Sequence, residues 1–417
     1  KSQQRQNKMS EDKRKVLWVS DSPQWKYVGQ SRVTREVCKR MSARYDMCVA
    51  GFFDKKEAGK EILSKDGYPI YNITRDATGL IIDAIHHYNP DVVVLSHDCW
   101  EFPNIELFRR KFPKVKFVGW FTIDGDPIDT KWKNLLEACN LIISPTEYGK
   151  KVIKDQYMHL DVDVVSYGID HSNFFKIDQL QKEMHRKSIR MNNGTSLEGK
   201  FCAVFTGQNH TRKNLGAAFD GWNRFAKDKS DVVFSIITHT RKIKHGEWAN
   251  MPVDYDLGNW YNADTMLVVD GIIDDPTLSR FYQVSDVMLL PSLGESPSLP
   301  LLESMACGVV PMVTNYSGPT DFCRHDENSF LMEGIDFWPQ MWHVRRKIVS
   351  PETVQESLEI MYNKWKNEKA EFHKLAQNAV ATSRAYDWDR SAEGIMNSIE
   401  KLFKENRVER VNKVTRV

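Results

Sequence analysis

The chain is predicted to be an α/β protein with two doubly wound parallel sheets, one in each of two domains that face each other. Its 417 residues exceed what one hydrophobic core ordinarily serves. Short runs of β-branched residues alternate with segments of helix length, which is typical of parallel sheets covered by helices. A polar stretch, residues 176–200, separates two such series and is the predicted linker.

The first series contains six strand candidates and begins with Val16–Val19. A helix is predicted over residues 31–41. The other strand candidates are residues 48–53, 91–95, 115–118, 141–144 and 162–165. This domain is assigned to residues 1–178.

The second series contains five strand candidates and defines a domain over residues 198–389. The candidates are residues 202–206, 232–237, 266–269, 287–290 and 309–313. Because ligands bind at the carboxyl ends of the strands in such sheets, a cleft lined by both sets of strand ends is the expected site.

Composition indicates a soluble globular protein, with 41% hydrophobic and 27% charged residues. The formal net charge of +2 does not by itself suggest nucleic acid or a membrane as partner. Both ends are nevertheless rich in Lys and Arg, as in residues 13–15 and 401–416. These ends are interpreted as solvated faces, with contact to an anionic surface as the alternative.

Cysteine usage and the absence of long apolar runs favour a cytoplasmic location. The seven cysteines form no C-x-x-C pair and lie mostly in apolar runs, as reduced core cysteines do. No apolar stretch approaches the roughly 20 residues that cross a bilayer. The polar first fifteen residues contain no signal-peptide pattern.

Residues 285–308 carry the most informative pattern. A strand ends at Pro291, Pro300 is expected at the first position of a helix, and Gly308 ends that helix. Glu295 is then in the loop before the helix, and Glu303 is in its first turn. This arrangement lets both carboxylates face one ligand.

A nucleotide sugar suits this arrangement chemically. The backbone N–H groups of Ser298 and Leu299, at the positive end of the helix, can bind a diphosphate. The Glu303 carboxylate can accept both hydroxyls of a ribose, and Glu295 can hold sugar hydroxyls.

The whole string resembles glycosyltransferase family 4, whose hallmark is a Glu-x7-Glu element between a Pro-Ser strand end and a helix ending in Met-Ala-x-Gly. The resemblance implies a GT-B fold with two Rossmann-like domains and a final helix, residues 390–417, that packs back onto the first domain. It also implies sugar transfer with retention of the anomeric configuration, through front-face displacement.

Other segments extend the resemblance. Residues 205–215 are similar to the family loop whose basic residues neutralise the leaving diphosphate, which assigns Gly207, Arg212 and Lys213 to the donor site. The family's early Arg falls on Gln208 here, so Arg212 is the expected substitute. Further similarities lie at residues 167–174, 270–286, 315–320 and 386–390, and in this family the backbone at Gly271 and Ile272 would contact the base.

The first domain is expected to hold the acceptor. Gly29 occupies the place of the family's glycine-rich loop and would approach the donor phosphates. His97 and Asp98 follow a strand and form a candidate acceptor pair. Asp124 stands nearest to the position where many family members carry a catalytic His, and is expected to orient the acceptor or to stabilise charge on the sugar ring.

The expected donor is a UDP- or GDP-sugar, bound without a metal because Arg212, Lys213 and a helix terminus supply positive potential. A saccharide or glycolipid acceptor is favoured, with a modified DNA base second. The aromatic residues of the first domain suit sugars and bases alike: Trp18, Trp25, Trp100, Trp120 and Trp132, with Lys26 among them. A sugar-nucleotide epimerase and a catalytically silent nucleotide-sugar-binding protein remain the alternatives; the oligomeric state is not predicted.

Overall fold

The computed structural model describes residues 13–25, 29–75, 78–238, 261–339 and 344–414, with side chains as far as residue 404. The chain forms two compact units. The first unit runs to Ile123, resumes over Ile128–Tyr167 and includes the chain from Trp388. The second unit comprises Asp124–Pro127 and Gly168–Asp387. Lys26 and the basic residues before position 13 and after position 404 lie outside the described side chains.

The first unit contains an eight-stranded sheet with the strand order β3-β4-β2-β1-β5-β6-β7-β8. All neighbouring strands are parallel except β3 and β4. Its elements are β1 Lys15–Asp21, α1 Gly29–Met41, β2 Asp46–Phe52, β3 Glu61–Leu63, β4 Pro69–Ile73, α2 Thr78–Tyr88, β5 Val92–His97, α3 Ile105–Lys111, β6 Lys116–Phe121, α4 Lys133–Ala138, β7 Leu141–Ser144, α5 Glu147–Gln156 and β8 Val162–Val164.

The second unit contains a parallel six-stranded sheet with the order β11-β10-β9-β12-β13-β14 and a separate antiparallel pair, β15-β16. Its elements are α6 Gln179–Ser188, β9 Phe201–Thr206, α7 Leu215–Ala226, β10 Val232–Thr238, β11 Met266–Asp270, α8 Asp275–Val284, β12 Val287–Leu290, α9 Leu299–Ala306, β13 Val310–Thr314, β14 Phe330–Met332, β15 Ile335–Phe337, β16 Arg346–Ile348, α10 Pro351–Asn367 and α11 Lys369–Ser383.

The predicted class, α/β with two doubly wound parallel sheets, is confirmed. Strands such as β5 and β9 are buried at every position, as expected for parallel strands covered by helices on both faces. Their near-continuous apolar runs are the reason that the sequence pattern located them. The helix predicted from residue 31 begins two residues earlier, at Gly29.

The predicted linker contains a helix that the sequence pattern did not indicate. Helix α6 has no buried apolar stripe and is attached through charged side chains. The buried Arg186 donates to the Val284 carbonyl, and also to Asp286 Oδ2 at 2.7 Å. Lys182 adds a second contact to Asp286 at 2.8 Å. A helix that is anchored by charged residues has the polar composition of a linker, which is why the sequence predicted one here.

The last helix, α12 (Trp388–Val414), belongs to the first unit and packs on α1. Trp388, Ile395 and Ile399 on α12 are fully buried. Among the helices that the structure describes, none combines the length and the apolar character needed to cross a bilayer.

The strand order of the second sheet reverses at β9, which has β10 on one side and β12 on the other. The connections that leave β9 and β12 therefore run to opposite sides and open a crevice at the carboxyl ends of these strands. The two loops that follow β9 and β12 are the ones that the sequence patterns singled out.

Candidate active site in the second unit

The loops after β9 and β12 are joined directly at the crevice. The first loop ends in a short 3₁₀ turn, Thr211–Lys213, and the second leads into α9. The Leu293 N–H donates to the Arg212 carbonyl at 2.8 Å. Residues 81 positions apart in sequence are thereby held next to each other.

Glu295 receives both basic residues of the first loop. Arg212 Nη1 lies 2.6 Å from Glu295 Oε2, and Lys213 Nζ lies 2.7 Å from Oε1. Burial raises the pKa of Glu295, but the charges of Arg212 and Lys213 outweigh burial and hold that pKa well below its ordinary value. Glu295 is therefore an anion at neutral pH.

The pKa values of Lys213 and its neighbour His210 are lowered as well, which for these two groups favours the uncharged form. Burial lowers the pKa of Lys213, the adjacent Arg212 lowers it further, and Glu295 opposes both effects. Burial, then Arg212 and Lys213, lower the pKa of His210 to about 3. His210 is consequently neutral, and its Nδ1 caps the turn by accepting from the Arg212 N–H at 3.3 Å.

Asp124 joins this site, although its expected place was the acceptor side of the first domain. The structure groups Asp124 with the second unit, where Arg346 donates to both of its carboxylate oxygens at 2.7 and 3.0 Å. Arg212 Nε lies 3.7 Å from Asp124 Oδ2. Arg212, Lys213, Glu295, Asp124 and Arg346 are called the charged cluster below.

Arg346 is the member of the charged cluster that the sequence analysis missed. It lies in β16, between Arg345 and Lys347, and three successive basic residues carry no sign of which one is buried. Only 4% of Arg346 is exposed, whereas its neighbour Arg345 is a surface residue that pairs with Asp126.

The backbone around Glu295 is closely packed and locally strained. A Cβ on Gly294 would lie 2.1 Å from the Asp124 carbonyl oxygen, so only glycine fits there. The Glu295 N–H donates to Ser317 Oγ at 2.9 Å, and Ser317 has a φ of 58°. A serine held in this region costs energy that surrounding contacts must supply, as is common at functional sites.

Helix α9 begins one residue earlier than predicted. The helix begins at Leu299, with Ser298 as its N-cap, so Pro300 is the second residue and not the first. Glu303 is the fifth helical residue and not the fourth, just past the first turn, and only 1% of it is exposed. Pro300 has no N–H, and the N–H groups of Leu301 and Leu302 donate to the Ser298 carbonyl at 3.1 and 3.2 Å. Among the described residues, the Leu299 N–H is therefore the first-turn donor without an acceptor in the helix.

Three buried serine hydroxyls in the β12–α9 loop make no hydrogen bond within the described structure: those of Ser292, Ser296 and Ser298. The exposed fractions of the three residues are 3%, 9% and 4%. Each unsatisfied buried hydroxyl costs roughly 1–3 kcal/mol. Thr238 and Thr314, at the carboxyl ends of β10 and β13, carry hydroxyls in the same condition. This edge of the sheet is therefore built to receive polar ligand atoms.

The remaining donor-site candidates of the second unit lie at the same sheet edge. Gly207 follows β9 with a φ of 153°, and Gly271 follows β11 with a φ of 116°. Ile272 is 52% exposed. Since β11 is three strands from β12, Gly271 is about 14 Å from the β12 loop. The structure brings Glu295, Arg212, Lys213 and Asp124 together, and leaves Gly271 and Ile272 at the far end of the crevice.

In the first unit, His97 and Asp98 lie where the sequence analysis expected them, at the end of β5. His97 Nδ1 accepts from the Asp98 N–H at 2.8 Å, and Nε2 lies 3.6 Å from Asp21 Oδ1. Burial lowers the pKa of His97, but the Asp21 carboxylate outweighs burial and raises it above the ordinary value. Gly29 is the first residue of α1.

The aromatic residues of the first unit separate into two groups. Trp18 and Trp120 are fully buried and pack edge to face, with ring centroids 5.9 Å apart, so they form core and not a ligand surface. Trp100 is 38% exposed. Its ring packs on that of Trp132 with centroids 5.8 Å apart.

Comparison with known proteins finds a matching family model and two curated relatives. Residues 200–342 match the family model described as glycosyl transferases group 1. D-inositol 3-phosphate glycosyltransferase from Acidothermus cellulolyticus is 28% identical over 145 residues, which are 34% of this chain and 28% of that protein. Alpha-monoglucosyldiacylglycerol synthase from Acholeplasma laidlawii is 23% identical over 232 residues, 53% of each chain. The matched regions thus span about a quarter to a half of these curated relatives.

Solved structures resemble the whole fold. Sucrose-phosphate synthase from Thermosynechococcus elongatus matches with a TM-score of 0.73 and 12% identity, covering 94% of this chain and 100% of that one. HepE from Anabaena in complex with UDP and glucose matches with a TM-score of 0.69 and 13% identity, covering 93% and 100%. At such identities the likeness concerns the fold. The chain has the GT-B fold of these structures, and residues 200–342 of its second unit match the glycosyl transferases group 1 model.

Proposed function

We propose that this protein is a glycosyltransferase that moves a sugar from a nucleotide-diphosphate sugar to an acceptor hydroxyl, with retention and without a metal. One observation carries the proposal: Arg212 and Lys213 converge on Glu295 beside the N-terminus of α9, among serine hydroxyls that lack partners. Cations, a helix N-terminus and unsatisfied hydroxyls in one crevice suit a ligand that is part diphosphate and part sugar.

The charge balance of the cluster supports diphosphate binding. Three cations and two carboxylates leave a formal charge of +1 in a buried crevice. A diphosphate brings the opposite charge and competes with Glu295 for Arg212 and Lys213. These two residues would also stabilise the negative charge that grows on the leaving nucleotide, which is the task a divalent cation performs in other transferases.

Glu295 has two proposed states. Without donor it is held by the two basic residues; with donor, the phosphates take those contacts and the carboxylate becomes available to accept from sugar hydroxyls. Ser296 and Ser298, on either side of Pro297 in the same loop, are suited to contact the sugar or the phosphates. Glu303, deeper in α9, is the proposed acceptor for the ribose hydroxyls.

The remaining members of the cluster are proposed to hold the donor site in shape. Asp124 binds Arg346 through two hydrogen bonds and lies within 3.7 Å of Arg212, so its role is to position Arg212. Retention is supported by the resemblance of the Glu-x7-Glu element to family 4. In that reaction the donor phosphate oxygen accepts the proton of the attacking hydroxyl.

A uridine donor is proposed first because HepE from Anabaena was solved with UDP and glucose and a trehalose-6-phosphate enzyme from Escherichia coli with UDP-2-fluoro glucose.

The test uses the full chain with UDP-, GDP- or ADP-glucose, with and without EDTA. It measures thermal stabilisation of the protein by each donor and slow hydrolysis of the donor. Lys213→Met should weaken binding about 10- to 100-fold, since one charge-assisted hydrogen bond contributes roughly 1.5–3 kcal/mol. Lys366→Met is the matched control, because Lys366 pairs with Asp231 at the opposite edge of the sheet.

Donor binding that is lost in the Lys213 variant, kept in the control and insensitive to EDTA would support the proposal. NMR of the released sugar then reports the anomer and tests retention. A folded wild-type chain that binds no donor would overturn the proposal in favour of a silent module. Interconversion of the donor into an epimer would identify a sugar-nucleotide epimerase.

A further inference from the structure

A cavity of about 300 Å³ opens in the first unit, beside the ends of β4 and β5. Its walls combine aromatic and polar side chains, among them Arg75, Thr78, Trp100, Glu101 and Asn104. The volume is at the lower end of small-molecule sites, which range from about 300 to 1,000 Å³. The cavity holds one or two sugar-sized rings, not an extended chain.

An ionic network connects this cavity to the candidate acceptor pair. Arg75 binds Glu101 and also Asp21, the latter at 2.7 Å. Asp21 in turn lies 3.6 Å from His97, which adjoins Asp98. The polar wall of the cavity and the His97–Asp98 pair are therefore parts of one site.

The charge of the network is negative. Among the described residues of the network, the carboxylates of Asp21, Glu101 and Asp98 outnumber the guanidinium of Arg75. Their formal charge is −2 with His97 neutral and −1 with it protonated. Arg75 is the one Lys or Arg among the described residues that line the cavity. Ligands that carry phosphate are repelled by such a site, and this applies to the backbone of DNA above all.

The aromatic wall supplies the complementary feature. Trp100 is 38% exposed and is supported from behind by Trp132. A rigid indole face packs against the C–H face of a pyranose ring while carboxylate, guanidinium and amide groups bind its hydroxyls. Glu101 and Asn104 are placed to do so, Asn104 being oriented by its 2.8 Å hydrogen bond to Thr78.

We infer that the first unit binds a neutral saccharide, free or as the headgroup of a glycolipid, in the cavity of Arg75, Trp100, Glu101 and Asn104. The inference rests on the proposed function, for which it names the acceptor class. A nucleobase in DNA and a phosphorylated sugar are thereby excluded as acceptors. Glu101 and Asp21 set this preference, because they supply the negative charge next to the sugar.

The test is binding of the full chain, without donor, to an array of neutral and phosphorylated oligosaccharides, to hydroxymethylated duplex DNA, and to vesicles that contain a neutral glycolipid. The wild-type chain should bind neutral glycans; the vesicle arm shows whether the natural source is a free glycan or a headgroup. Trp100→Ala should weaken this binding at least tenfold. Trp338→Ala, which removes an exposed tryptophan of the second unit, should leave it unchanged.

A second variant keeps the test independent of any folding defect in Trp100→Ala. Glu101→Gln preserves shape and removes one negative charge, so the preference for a neutral glycan over its phosphorylated form should fall about tenfold. Stabilisation by UDP-glucose should persist in both variants. Binding of DNA or phosphorylated glycans in preference to neutral ones, or binding of no glycan, would overturn the inference. If the wild-type chain does not bind UDP-glucose, the proposed function is overturned instead.

Discussion

At the residue scale, the charged cluster shows how neighbouring charges keep a buried carboxylate ionised. Glu295 is buried, and a lone buried carboxylate would take up a proton. Arg212 and Lys213 prevent this at contact distances of 2.6 and 2.7 Å. Burial, assisted by the same two cations, lowers the pKa of the neighbouring His210 and keeps it neutral. Three different charge states thus follow from one local arrangement.

His210 provides a pH prediction. Its folded pKa of about 3 lies below the ordinary value of 6.5, so the unfolded chain binds the additional proton between these values. The contribution of His210 to stability is therefore complete above pH 6.5 and declines as the pH falls toward 3. The loss amounts to at most about 1.4 kcal/mol per pH unit. Denaturant unfolding at pH 7, 6 and 5 measures it.

His210→Asn should reduce this pH dependence, because asparagine caps a helical turn well and does not titrate in this range. The exposed His373→Asn is the control and should leave the slope unchanged. If the free energy of unfolding depends equally on pH in the wild-type chain and in the His210→Asn variant, His210 is protonated in the folded chain.

At the element scale, polar elements escape detection when charge and not apolar surface holds them. Helix α6 packs through Arg186 and Lys182 against Asp286, and β16 contributes the buried Arg346. Hydrophobic periodicity is the main indicator of a packed element in a sequence. Both segments lack it, so their sequences resemble those of solvent-exposed chain. By contrast, β5, β9 and β12 were located closely because apolar residues fill them.

Helix α6 supplies a stability prediction. Arg186→Leu should destabilise the protein by about 3–5 kcal/mol, because it removes hydrogen bonds to the Val284 carbonyl and leaves Asp286 buried with one partner fewer. Lys187→Leu is the matched control. Lys187 forms an exposed surface pair with Glu198, and the loss of such a pair should change the free energy of unfolding little. Denaturant unfolding compares the two, and equal losses would show that α6 is only loosely attached.

At the scale of the whole molecule, the chain returns to its first unit after completing the second. Helix α12 packs on α1, and Arg14 and Tyr45 both contact Glu400 from the beginning of the chain. The contact between positions 14 and 400 shows that the first unit is finished only when synthesis of the last helix is complete.

Ile395 tests this dependence. It is fully buried, so Ile395→Ala should destabilise the first unit by about 2–5 kcal/mol through the cavity that it leaves. Hydrogen exchange should accelerate in β1 and α1, which are 350 or more residues away in sequence. The exposed Ile360→Ala in α10 is the control and should change little. Unchanged exchange in β1 and α1 would mean that α12 contributes no stability to them.

The sequence by itself determined the fold class, the two loops that bear Glu295, Arg212 and Lys213, and the strands of both sheets except β3, β4 and β14. It did so because apolar runs, glycines and prolines act over short distances, and because the Glu-x7-Glu string is local. The tertiary structure alone decided that Asp124 belongs to the charged cluster and that Arg346 completes it. It also decided that Glu303 is almost fully buried, and that Trp18 and Trp120 are core residues while Trp100 lines a cavity. These outcomes depend on which distant strand ends meet at a sheet edge, and on which members of a polar or aromatic group are buried there.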